Sequence, residues 1–399
     1  MTRDFVSRAT VVVAVSQLVP ALAWGELARL AGLPWPRWIG LLMAAGVVAL
    51  APSRMRMFRW DYPRSPLVLH LVDEPFFANV CASLMSAPVV VAAIPVMALG
   101  DLLFGGLWEH FFRVVLALYG SCVVLSGWGV FVRRWWPRVR RVDVSIRGLP
   151  ESFEGFTIAH LSDLHLGGLN PRSMIRRWVE ITNDLSPDLV ALTGDYITSG
   201  TAFHLAIADE LGALRARDGV VFSMGNHDYF GEGQPMLSLF AERGLRALRN
   251  SSITLTRAGK RLRLAGIDDT YTGRADLDTT MEATLRERVD EAQPSLLVER
   301  AVNGSDCPTI VLAHNPELFD GLAARGADLV LSGHTHAGQV AVPWAVRATS
   351  FVGIRHRYVV GMYALGDSTL VVHPGLGTTG PPIRLGVAPE ITLLRLTRR

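Results

Sequence analysis

Cysteine is nearly absent from this chain. Three residues, Cys81, Cys122 and Cys307, stand among 399. Two fall in long apolar runs and one in a loop, which excludes a disulfide framework and accords with a reducing compartment. Charge is sparse as well, at 19% of residues, and a net charge of +3 is too small to argue for a nucleic-acid partner. No internal repeat and no low-complexity segment is visible, so a solenoid or a disordered tract is excluded. The sparseness is uneven. Residues 9–25, 38–53, 75–100 and 114–132 hold no charge at all, and positive mean hydropathy comes from this first third of the chain.

Beyond residue 150 the polar residues that matter come in five short clusters, each after an apolar run. They are Asp163-Leu164-His165, Gly194-Asp195-Tyr196, Gly225-Asn226-His227-Asp228, Ala313-His314-Asn315 and Gly333-His334-Thr335-His336. Carboxylate, imidazole and amide oxygen are ligands for borderline divalent metals, and no cluster offers a thiolate. The preceding runs (157–161, 189–192, 220–224, 309–311 and 329–331) are short and rich in branched residues, so they read as buried strands. Ligands at the carboxyl ends of parallel strands converge on one rim, where open α/β sheets hold their sites. The count suits two metal ions that share one bridging carboxylate, which is the signature of a hydrolase.

The order of the clusters resembles the calcineurin-like metallophosphoesterases, whose pattern is D-x-H, G-D, G-N-H-[DE], a lone His and G-H-x-H. The resemblance runs from about Phe156 to Glu390. It implies an α/β domain of four layers, α/β/β/α, with two sheets face to face. It implies that Asp163, His165 and His336 bind a first metal, that Asn226, His314 and His334 bind a second, and that Asp195 bridges them. It further implies that His227 acts as the acid and that Asp228 holds its ring. The two ions would be Mn, Fe, Zn, Co or Ni, since His, Asp and Asn ligands accept any of these. The substrate implied is a phosphodiester or a pyrophosphate. The arginine that follows the second motif in protein phosphatases is missing from Gly194-Asp195-Tyr196-Ile197-Thr198-Ser199-Gly200, which argues against a phosphoprotein substrate. A C-terminal stretch such as Arg384-Leu385-Gly386 to Pro389-Glu390-Ile391 resembles the bacterial membrane-associated branch.

The charge-free runs predict a transmembrane module of four helices over 1–132, with spans near 9–30, 38–53, 76–100 and 114–132, since a bilayer needs roughly 20 apolar residues per helix. Pro88 and Pro95 predict kinks in the third span. A basic, Trp-bearing linker over 133–150 would lie at the headgroups, followed by the catalytic domain over 151–399. With the N-terminus inside, Arg3, Arg8, Arg54, Arg56, Arg59, Arg64, Arg133, Arg134, Arg138, Arg140 and Arg141 face one side, and only Arg29, Arg37 and Arg113 the other. That bias predicts a multi-pass protein of the cytoplasmic membrane, with its catalytic domain in the cytoplasm.

Within the catalytic domain, helical patterns are expected over 172–183, 203–217, 235–249, 278–291 and 316–325, with a hairpin over 253–264 turning at Ala258-Gly259. His160 reads as a core or supporting histidine, His204 as a surface side chain, and His373 as lying near the rim. Asp268 and Asp269 are candidates for that rim too. Gly375-Leu376-Gly377-Thr378-Thr379-Gly380 matches a dinucleotide fingerprint, but Pro381-Pro382 bars the helix that fingerprint needs. The loop is expected instead to approach a substrate phosphate or seal the rim, together with Arg384. Three roles stay open: hydrolysis of a lipid-linked substrate, hydrolysis of a soluble phosphodiester by a merely anchored enzyme, and a non-catalytic sensor or transport component.

Overall fold

The structure is a computed structural model that describes residues 3–56, 62–231, 233–282 and 307–399. It divides into two compact units, Met1–Arg134 with Gly380–Leu385, and Trp135–Thr379 with Gly386–Arg399.

The first unit is helical. Its helices are α1 (Arg3–Ser16), α2 (Leu18–Leu30), α3 (Pro36–Met55), the short α4 (Pro66–Val68), α5 (Glu74–Phe104) and α6 (Leu107–Gly127). Four helical stretches are long and apolar enough to cross a membrane: Val6–Leu30, Pro36–Met55, Pro66–Phe104 and His110–Trp135. Unlike a soluble bundle, the unit leaves large apolar side chains such as Leu42, Val96, Leu102 and Val124 exposed, as lipid-facing helices do. Inside it, small residues and hydroxyls carry the packing. A Cβ at Gly40 of α3 would sit 2.1 Å from the Ala21 carbonyl of α2, so the two backbones meet only because Gly40 has none. Gln17, between α1 and α2, donates to the Ser83 hydroxyl of α5 over 3.2 Å. The first run does extend past Glu26, which is buried and held by Arg29 at 2.6 Å.

The second unit contains two six-stranded sheets, ordered β1-β12-β2-β3-β4-β5 and β10-β11-β9-β8-β7-β6. The first comprises β1 (Arg138–Ile146), β2 (Thr157–Leu161), β3 (Leu189–Thr193), β4 (Val220–Ser223), β5 (Arg246–Ala247) and β12 (Glu390–Arg398). The second comprises β6 (Ser251–Arg257), β7 (Lys260–Gly266), β8 (Thr309–Leu312), β9 (Leu329–Ser332), β10 (Gly361–Leu365) and β11 (Ser368–Val372). Pairing is parallel except at β12–β2, β6–β7 and β10–β11. One face of each sheet supplies a shared core, in which Ile158, Ala191 and Leu394 pack with Leu264, Ile310 and Leu331. The other face of the first sheet is covered by α7 (Arg172–Asp184), α8 (His204–Leu211) and α9 (Gly233–Glu242), through Trp178, Ile207 and Phe240. That of the second is covered by α10 (Leu277–Glu282) and α11 (Phe319–Ala323), through Phe319 and Leu322. These are the four expected layers.

Several expectations shift. The segment 235–249 is helical only to Glu242, because Gly244 adopts φ +79° and the chain turns into β5. The pattern over 203–217 stops at Leu211, and that over 278–291 is helical to Glu282, its remainder lying outside the described residues, as does Arg59. The hairpin is present, with Ala258 and Gly259 at φ 47° and 72° as its tight turn requires. Half of the expected linker is strand β1, whose partner β12 lies some 250 residues away in sequence. His204 is buried in the first turn of α8 instead of lying on the surface.

Candidate metal centre

Each cluster follows the carboxyl end of a strand. Asp163 and His165 follow β2, Asp195 follows β3, Asn226 to Asp228 follow β4, His314 follows β8, and His334 and His336 follow β9. Five of these residues, Asp163, His165, Asp195, His334 and His336, adopt positive φ between 48° and 71°. Non-glycine residues rarely occupy that region, and such strain collects at functional sites. Here it turns the chain sharply after β2, β3 and β9, so that a side chain which would otherwise continue along the loop points inward.

Glycines make room beside these turns. A Cβ at Gly225 would lie 2.3 Å from Asp195 Oδ1, and one at Gly333 would lie 2.3 Å from Asp163 Oδ2. Gly225→Ala is therefore expected to weaken metal binding by ~10–100-fold although no ligand is changed, because it displaces the carboxylate beside it. A metal titration of the variant that matches the unchanged protein would refute this account of the glycine.

The donor atoms gather in three overlapping groups, each within 4.8 Å: Asp163, His165 and His336; His165, Asp195 and His227; Asp195, His314 and His334. His165 Nε2 and His336 Nε2 face each other at 2.9 Å, and His336 Nε2 lies 3.3 Å from Asp163 Oδ1. Asp195 Oδ2 stands 3.5 Å from His165 Nε2 and 3.3 Å from His314 Nε2, so one carboxylate reaches both sides of the cluster. His314 Nδ1 donates to the Thr193 carbonyl over 2.6 Å, which leaves its Nε2 facing Asp195. His334 Nδ1 is 3.3 Å from His314 Nε2. The amide oxygen Oδ1 of Asn226 is buried with no hydrogen-bond partner. Buried oxygen left unpaired and imidazole nitrogens set against one another are a donor set that fits a divalent cation.

Electrostatics agree. Burial opposes the charge on Asp195, yet the His314, His227 and His165 imidazoles hold its carboxyl well below the usual range. Burial also opposes a cation at His314, but the Asp195 carboxylate pushes it up to about 10. Burial and the neighbouring His314 push His334 down to about 3, and burial lifts Asp163 to about 6.

His227 and Asp228 differ from expectation in their pairing. His227 Nδ1 donates to the Thr198 carbonyl over 2.7 Å, and its backbone N–H donates to Asp195 Oδ1 over 2.9 Å. Asp228 does not hold the ring. Its fully buried carboxylate accepts the backbone N–H groups of Asp195, Tyr196 and Gly225 at 2.9, 2.8 and 2.8 Å. Burial, reinforced by Asp195, pushes its pKa up to about 8 against those three donors. Asp228 therefore ties together the two loops that carry Asp195 and Asn226. The direction of its side chain depends on contacts across 33 residues, which the local motif does not encode.

Other candidates find supporting places. Asp268 accepts from Tyr229 Oη at 2.6 Å and from Arg249 Nε at 2.8 Å, and Asp269 accepts the Thr272 N–H at 2.7 Å, so both order loops beside the cluster. His160 is fully buried, its Nε2 2.9 Å from Thr193 Oγ1 and its ring edge-on to His373 at 4.9 Å. The glycine-rich loop braces the first motif: the Gly377 N–H donates to the Asp163 carbonyl over 2.7 Å, so that amide is not turned to a phosphate. Arg384 is fully buried and belongs to the first unit, where its N–H donates to the Gly129 carbonyl over 3.3 Å. Two neighbours escaped sequence reading. Tyr271 places its hydroxyl 3.3 Å from His334 Nε2, and its only sequence signal is an aromatic in a polar loop after a strand. Thr198 acts through its carbonyl, which no side-chain pattern reveals.

Known proteins resemble this chain in sequence. The calcineurin-like phosphoesterase family pattern matches residues 156–338. The chain is 34% identical over 291 residues to a Danio rerio "transmembrane protein with metallophosphoesterase domain", covering 71% of this chain and 62% of that protein. It is 31% identical over 254 residues to the metallophosphoesterase YkuE of Bacillus subtilis (strain 168), covering 62% and 81%. It is 29% identical over 246 residues to the phosphodiesterase YaeI of Escherichia coli (strain K12), covering 60% and 82%. The chain spans about three fifths of the length of the animal relatives it matches.

Proposed function

The chain belongs to the calcineurin-like phosphoesterase family, and from that premise we propose that it is a membrane-anchored phosphodiesterase or pyrophosphatase with two divalent metal ions. The observation that carries this reading is Asp195, whose single carboxylate lies within 3.5 Å of ring nitrogens on both sides of the cluster. In the proposed assignment Asp163, His165 and His336 hold one ion, Asn226, His314 and His334 the other, and Asp195 both. Divalent ions so held polarise phosphoryl oxygens and activate a water at neutral pH. The chain supplies the rest. Asn226 adds a ligand oxygen without charge, which keeps the site cationic toward a phosphate anion. His227, its Nδ1 fixed on a carbonyl, presents Nε2 as the atom that delivers a proton to the leaving oxygen.

A lipid-linked substrate stands first among the candidates because the same chain carries four helices suited to a bilayer. Protein purified without added metal should hold two divalent ions by elemental analysis and hydrolyse a diester such as bis(4-nitrophenyl) phosphate. A protein with neither property would sink the reading. Removal of residues 1–134, which leaves β1 whole, should abolish hydrolysis of a lipid-linked diester while sparing a soluble one, and equal activity on both would instead favour the anchored enzyme of soluble substrates.

The arginine bias supports an orientation with the N-terminus and catalytic unit in the cytoplasm. A reporter fused after Arg399 is expected to behave as cytoplasmic, and one inserted near Gly105 as external. An external C-terminal reporter would reverse the orientation.

A further inference from the structure

The helical unit carries a cluster of charges that the hydrolytic reading does not use. It lies where the end of α3, the start of the Pro66–Phe104 helix and the end of the His110–Trp135 helix meet. A wide turn at Leu69–Asp73 turns Asp73 inward, beside Glu74. Glu74 is fully matched: Arg134 Nη2 bonds one oxygen, and His70 Nδ1 lies 2.8 Å from the other. Asp73 is not. Arg54 Nε stands 3.2 Å from its Oδ1 and Arg64 Nη1 3.8 Å from its Oδ2, and neither contact is a hydrogen bond. Arg64 is only 7% exposed, its side chain lying over the Tyr62 ring, and its Nε and Nη2 are buried with no acceptor. Arg54 Nε has none either.

Among the described residues, three arginines therefore meet two carboxylates here, which leaves an excess of positive charge and several guanidinium N–H groups unsatisfied. Buried donors of this kind are costly unless an acceptor arrives, and charges within spanning segments mark functional sites. Immediately after Arg64, Ser65 caps the helix that starts at Pro66, and the positive end of that long helix adds to the excess. The geometry points to a binding site for a phosphodiester monoanion, the headgroup phosphate of a phospholipid, gripped by Arg54 and Arg64. A monoanion brings the cluster to neutrality, and the guanidinium fork matches phosphate oxygens.

The full-length protein, purified in a phosphorus-free maltoside and stripped of lipid, tests this. Phosphatidylglycerol should remain on the chain as a single lipid mass in native mass spectrometry and, near 100-fold above its Kd, raise Tm by about 4 °C. Arg64→Gln and Arg54→Gln should lose both effects. Arg64→Lys, which keeps the charge without the fork, guards against misfolding and should bind at least ~10-fold more weakly. Asp73→Asn removes the competing carboxylate, so it should bind the lipid more tightly, whereas a purely structural ion pair would leave that variant less stable with no response to anions. Inorganic phosphate at the same concentration separates the sources: a shift with phosphate but no retained lipid overturns the lipid headgroup as occupant. No shift with either, or a shift that survives in Arg64→Gln, overturns the site altogether.

Discussion

Asp195→Ala is expected to release at least one metal ion and to lower turnover ~10³-fold or more, the rate equivalent of about 4 kcal/mol of lost transition-state stabilisation. The size of the effect follows from position. Asp195 Oδ2 faces His165 and His314 together, while its Oδ1 accepts the His227 N–H. Removing it empties the centre of the cluster and frees the loop that presents His227. Asn226, with one oxygen on one side, should cost less when replaced by Ala. Asp195→Asn separates metal loss from misfolding, since it keeps the shape and one acceptor but not the charge. Elemental analysis and kcat on one diester make the comparison, and an Ala variant with two metals and normal turnover would end the bridging assignment.

His227→Ala should keep both metals yet lose ~10²–10⁴ in kcat on a diester with an alkyl leaving group. With an activated aryl diester, whose leaving oxygen needs no proton, the loss should shrink. His227 also falls within 4.8 Å of donor atoms of His165 and Asp195, so metal content decides between acid and ligand. If it falls with activity, His227 is a ligand. Equal losses on the two substrates would remove it as the acid on the leaving oxygen. Asp228→Asn provides a contrast: three backbone N–H groups depend on that carboxylate, so its replacement should reduce metal content and harm both substrates alike.

What was legible in the sequence was what short-range chemistry fixes. An apolar run followed within two or three residues by Asp, His or Asn locates a strand end, and the strands β2, β3, β4, β8 and β9 end there. Glycines beside the ligands were visible, although their reason, the 2.3 Å that a Cβ would leave against Asp195 or Asp163, was not. Illegible were the contacts set by distant segments. The Asp228 side chain could have turned to His227 or to three amides, and only the meeting of two loops decides. The polar face of β1 reads as linker because β12, which makes it a strand, is far along the chain. His204 looked like a surface residue because a helix pattern shows which residues share a face, while the layer that covers the face is set elsewhere.

The place of β12 has a consequence for synthesis. It lies between β1 and β2, pairing with both, so β1 has no partner in the first sheet until residues 390–398 are available. On a ribosome, the apolar helices and the eleven other strands emerge before this wedge does, and Asp163 and His165 follow the strand β2 that borders its slot. Exposure of the apolar helices and completion of the first sheet are therefore separated in time: the nascent chain can present its helices to a bilayer while β1 still waits, and β1 joins β2 only when the last strand slides into its slot.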